Sequence, residues 1–75
     1  MKKINTPNYE ITAYYVMQED GAQIQVNATA HYSGAFYNLS GFMPSQKGVK
    51  LTARRVEKEM EFLLKRMQGL VQRLN

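Results

Sequence analysis

The segment KGVKLTARR, residues 47–55, gathers Lys47, Lys50, Arg54 and Arg55 just before and inside the start of an expected helix. A helix N-terminus carries a partial positive charge, so stability alone favours Asp or Glu there. Cations at that place make sense if an anion sits among them. The free N–H groups of a first helical turn bind phosphate, and flanking Lys and Arg add to the attraction. The same helix carries Lys58, Lys65, Arg66 and Arg73 on the side opposite its apolar stripe, with Phe62 among them. These nine residues form a candidate nucleic-acid or anion surface, in which Phe62 stacks on a base or anchors a protein partner. The plainer alternative is a solvated face laced by Arg55–Glu59 and Glu61–Lys65 pairs at i,i+4.

Only one acid–base pair is expected to meet. The strand register derived below sets Glu10 opposite His31, and a carboxylate beside an imidazole is a device for proton transfer. No nucleophile stands beside it and no glycine-rich phosphate loop occurs, so an ordinary cross-strand polar pair is the expectation. The chain has no cysteine and a single histidine, which leaves neither a disulfide nor a conventional zinc site. Of the five methionines, those at 17, 60 and 67 fall on expected buried faces and read as core filling rather than copper ligands. No cofactor is implied, and the chain reads as a binding protein rather than an enzyme.

The elements that must position these residues follow from periodicity. NYEITAYYVMQ, AQIQVNATAHY and AFYNLSGF alternate apolar and polar residues and are rich in Tyr, Val, Ile, Phe and Thr, which predicts strands over about 9–18, 22–32 and 35–42. Asp20-Gly21 suits a two-residue type I′ turn, and Ser33-Gly34 stands in the corresponding place between the next two strands. Turns at those positions pair Met17 with Ile24, Tyr15 with Val26, Ala13 with Ala28, Ile11 with Ala30 and Tyr9 with Tyr32. They then pair Ala30 with Tyr37 and Ala28 with Leu39, so that one face is apolar throughout. The other face receives the rows Glu10–His31–Phe36, Thr12–Thr29–Asn38, Tyr14–Asn27–Ser40 and Val16–Gln25–Phe42.

After the breakers Pro44 and Gly48, Thr52 is placed to cap a helix over about 53–74. Val56, Met60, Leu63, Leu64, Met67, Leu70, Val71 and Leu74 share one side of it. Gly69 is its weak point, where the helix either continues at a cost or stops. One helix of this length spans one face of strands of ten residues. The expected fold is α+β: a three-stranded antiparallel meander with one C-terminal helix packed on one face, β-β-β-α in two layers, as a single small domain over residues 1–75.

Ten Lys and Arg against six Asp and Glu give a net charge of +4, mildly in favour of a polyanionic partner. MKKINTPNYE has no apolar run behind its lysines, and AYYVM is far too short to cross a bilayer, so neither a signal peptide nor a membrane partner is expected. A cytoplasmic protein is the expectation. The β-β-β-α layout resembles double-stranded-RNA-binding domains, in which a helix after three strands grips phosphate with its N-terminal lysines. It is also similar to plant AP2-type domains and the arm-binding domains of phage integrases, which read DNA with the sheet. The first helix and characteristic loop of the RNA-binding domain are missing, and no stretch matches a motif of any of these families. In size and lack of active-site features the chain resembles the small inhibitors that phages carry against host defences.

Two functions are therefore expected. The first is a non-enzymatic regulator contacting nucleic acid or a nucleoprotein complex through Lys47, Lys50, Arg54, Arg55, Lys58, Phe62, Lys65, Arg66 and Arg73. The alternative is a protein-binding inhibitor or adaptor, or a homodimer, acting through Tyr14, Val16, Phe36 and Phe42 on the open sheet face.

Overall fold

The computed structural model describes residues 1–74, with side chains described through Arg73. Four strands, β1 (Lys2–Asn5), β2 (Tyr9–Gln18), β3 (Gly21–Ala30) and β4 (Phe36–Pro44), precede one helix, α1 (Ala53–Leu74). The strands form one antiparallel sheet in sequence order, so the expected three-stranded meander gains a fourth strand at its N-terminal edge. That strand comes from the tight turn at Thr6-Pro7-Asn8-Tyr9. The Thr6 N–H donates to the Tyr9 carbonyl at 2.9 Å. The Thr6 hydroxyl accepts from the Asn8 and Tyr9 N–H groups at 3.2 and 3.1 Å. Ile4 then falls opposite Ile11 and joins the margin of the core.

Both hairpins differ from the expected register by two residues, for separable reasons. Between β2 and β3 the turn residues are Glu19 and Asp20, so Gln18 faces Gly21 and Tyr15 faces Ile24. No non-glycine residue in the described chain has positive φ, so this is not the primed turn that Asp20-Gly21 suggests. Gly21 is needed for another purpose. It sits at φ 156°, and a Cβ there would lie 2.1 Å from the Met43 carbonyl oxygen and 2.7 Å from the Phe42 ring. Between β3 and β4 the loop has five residues, 31–35. It is closed by Gly34 N–H to Ala30 carbonyl at 2.8 Å, with Gly34 at φ 73°. β3 therefore ends at Ala30, and Tyr32, expected in the core, is fully exposed at 102%.

A shift of two keeps side-chain parity, so the buried face is the expected one although the pairs are not. Tyr9, Ile11, Ala13, Ala22, Ile24, Val26 and Ala28 form one buried cluster with Val56, Met60, Leu63, Leu64, Met67 and Val71 of α1, and Ala30 is buried as well. Met17 is the exception among the expected core methionines, at 47% exposure. It lies nearer the hairpin tip than Tyr15, which already reaches the first turns of the helix through Glu57. The helix runs unbroken through Gly69, and Leu70 sits at the exposed margin of the stripe. The expected place of the Leu74 side chain in that stripe lies outside the described residues. Gly41 lets the helix approach β4 closely, since a Cβ there would meet Leu63 Cδ1 at 3.3 Å.

Candidate nucleic-acid interface

Thr52 caps α1 as expected: its hydroxyl accepts from the Arg55 N–H at 3.3 Å, and its carbonyl from the Val56 N–H at 3.2 Å. The preceding loop folds into a tight turn over Gln46–Val49, with the Val49 N–H on the Gln46 carbonyl at 3.0 Å and Gly48 at φ 79°. Positive φ at its third residue and not at its second makes this a type II turn. Lys47 therefore stands at an outward corner. Lys47, Lys50, Arg54, Arg55, Lys58, Lys65, Arg66 and Arg73 are all exposed, and Phe62 among them is 57% exposed.

Carboxylates that could neutralise this face are partly drawn elsewhere. Among the described residues two ion pairs form, Lys2 with Glu61 and Lys3 with Glu10, and neither includes a cation of the candidate surface. Glu57 accepts a long hydrogen bond, 3.4 Å, from the Tyr15 hydroxyl. Desolvation, and then the charge and hydrogen bond of Glu57, push the Tyr15 phenol above its ordinary range. Glu57 and Glu61 thus both lean toward the β1–β2 side of the helix. The expected Arg55–Glu59 and Glu61–Lys65 pairs do not form. Glu19 and Asp20 share the end of the molecule that holds the 45–50 loop, where the Ser45 N–H meets the Asp20 carbonyl at 2.9 Å. That end is consequently mixed in sign, and along the helix from Lys58 onward the exposed face carries Lys58, Lys65, Arg66 and Arg73 with the single unpaired acid Glu59 beside them.

The expected Glu10–His31 pair is not assembled. Glu10 stands opposite Thr29 and accepts from Lys3 at 3.3 Å, whereas His31 lies in the β3–β4 loop with its ring nitrogen 3.3 Å from the Asn5 side chain. No group of three or more His, Cys, Asp or Glu side chains converges among the described residues.

The open sheet face carries the rows Glu10–Thr29–Phe36, Thr12–Asn27–Asn38, Tyr14–Gln25–Ser40 and Val16–Gln23–Phe42. These replace the expected rows, each of whose middle residues moves by two. The Asn38 amide donates to Gln25 at 3.0 Å and to Asn27 at 2.6 Å, tying the centre of the face together. Phe36, Phe42, Val16 and Tyr14 are exposed toward its two ends, Phe36 at 65% and Phe42 at 44%. A shallow depression of about 170 Å³ lies between the end of β4 and the loop, lined by Phe42, Pro44, Val49, Leu51 and Arg55 among others.

Sequence reasoning missed β1, and with it the two lysines that occupy Glu61 and Glu10. The signal was the Thr-Pro-Asn turn at residues 6–8. Among the described residues no helix is long and apolar enough to cross a membrane. No family model matches the chain, and neither a curated protein nor a solved structure matches it.

Proposed function

We propose that this protein is a small non-enzymatic regulator that binds nucleic acid, or a nucleoprotein complex, through the basic face of α1 and the 47–55 junction. The observation that supports this reading is that eight exposed cations on α1 and the loop before it form no ion pair among the described residues. A helix face kept only for solubility gains from i,i+4 pairs, and here the sequence offers such pairs while the fold leaves them apart. Phosphate contacts position a protein along a backbone, and Phe62 offers a ring to an unstacked base.

A second reading rests on Phe36, Phe42, Val16 and Tyr14, which give the nearly uncharged sheet face apolar anchors for a protein partner, as in an inhibitor or adaptor. One titration separates the two. Binding of labelled duplex and single-stranded oligonucleotides should weaken about 10³-fold between about 50 and 200 mM salt if six or more phosphates are neutralised. Lys50→Ala with Arg54→Ala should flatten the salt slope by about 2 units. Phe36→Ala with Phe42→Ala should leave that slope unchanged. An absence of oligonucleotide binding at low ionic strength overturns the first reading. Loss of a captured protein partner on the phenylalanine changes alone supports the second.

A further inference from the structure

We infer that β4 is an interface strand, through which two copies of this chain pair edge to edge into one eight-stranded antiparallel sheet. The two free edges of the sheet are treated differently by the sequence. β1 is four residues long and carries Lys2 and Lys3, the usual means of keeping an edge from pairing. β4 is nine residues long, FYNLSGFMP, and carries no charge at all. Its hydrogen-bond phase is fixed by Ala30 N–H to Ala35 carbonyl and Ser45 N–H to Asp20 carbonyl, which turn the odd-numbered residues toward β3. In an antiparallel ladder the main-chain groups of Phe36, Asn38, Ser40 and Phe42 then point away from the sheet, as a ready template. The helix side of β4 is also incompletely covered. Tyr37, Leu39 and Met43 are half-buried, whereas every helix-facing residue of β3 is buried.

A second copy is the occupant that fits this edge, because the strand is complementary to itself. Full antiparallel overlap of Phe36–Pro44 with its own copy puts the two-fold axis on the middle residue, Ser40. Phe36 then stands opposite Pro44 of the second copy, whose missing N–H falls at the end of the ladder where it removes least. Tyr37 meets Met43, and Leu39 meets Gly41, large against small, on the side that needs cover. No like charges oppose each other, although each chain carries +4. Leu63 sits over Gly41, close to the axis, with Glu59 and Arg66 one turn to either side of it on the helix. Neither has an ion-pair partner within its own chain among the described residues. The axis brings Glu59 of one copy level with Arg66 of the other.

Sedimentation of the wild-type chain at micromolar concentrations and above should show a species of twice 8.6 kDa. Ser40→Pro removes the outward N–H at the axis without touching the β3–β4 ladder, and should give a monomer with an unchanged circular dichroism spectrum. Gln25→Lys places a charge at the middle of the open face and should leave the dimer intact. Amide exchange gives the variant-free test: protection at Asn38, Ser40 and Phe42 should rise with protein concentration. A monomeric wild-type chain, a dimeric Ser40→Pro chain, or those three amides exchanging freely at all concentrations overturns the proposal. A dimer lost on Gln25→Lys but kept on Ser40→Pro overturns it too, in favour of stacked open faces.

Discussion

Gly69 and Gly21 predict opposite responses to the same added methyl group. Gly69 lies inside α1 with nothing within 4 Å of the position a Cβ would take. Gly69→Ala should stabilise the protein by about 0.5–1 kcal/mol, from helix propensity and a less mobile unfolded chain. Thermal unfolding should rise by roughly 4 °C, at about 4–8 °C per kcal/mol for a chain of this size. An unchanged or lower midpoint defeats the argument. Gly21→Ala drives a methyl group onto the Met43 carbonyl oxygen at a positive φ. It should cost more than about 2 kcal/mol, seen as a lower denaturation midpoint. The sequence shows the first glycine plainly as a flaw in a periodic helix. The second reads as turn chemistry, because Asp-Gly is a turn signal and the closeness of β4 is not visible in a one-dimensional pattern. Tyr9 shows the same limit. Its apolar ring position is legible, but not its hydroxyl, which accepts amide hydrogens from Gln68 at 3.1 Å and Gln72 at 3.3 Å.

At the scale of elements, what period and capping specify is found, and what short contacts specify is not. The helix bounds, the Thr52 cap and the choice of helix-facing side in β2, β3 and β4 follow from long alternating or 3.6-residue patterns. β1 has one apolar residue in four, too few to show a period, and is held by a turn instead. Thr6→Ala removes the acceptor for the Asn8 and Tyr9 N–H groups, and should cost about 1 kcal/mol. The loss should be local: amides of β1 should exchange faster while those of β3 keep their protection, apart from the global shift. Equal acceleration in both strands would show that β1 does not open independently. Of the candidate site, the cationic face was legible because a helix projects sequence onto faces by simple rotation. Its freedom from ion pairs was not, since that depends on Lys2 and Tyr15 drawing Glu61 and Glu57 toward the sheet.

At the scale of the whole molecule, a chain of net charge +4 carries eight of its ten Lys and Arg on α1 and the loop before it, within a body about 47 × 18 × 16 Å. Self-repulsion among these cations opposes folding and is screened by salt. Shortening the Debye length from about 30 Å at 0.01 M to about 10 Å at 0.1 M salt should raise the melting temperature by a few degrees. A fall over the same range would mean that attractive pairs dominate in solution.

The ion pair of Lys3 with Glu10 has a further consequence on this scale. It cancels the only two charges of the open sheet face, so the centre of charge is displaced from the centre of mass toward α1. The protein is therefore a permanent electric dipole pointing through its two layers. The field of an extended anion would exert a torque on such a body and turn α1 toward the charge.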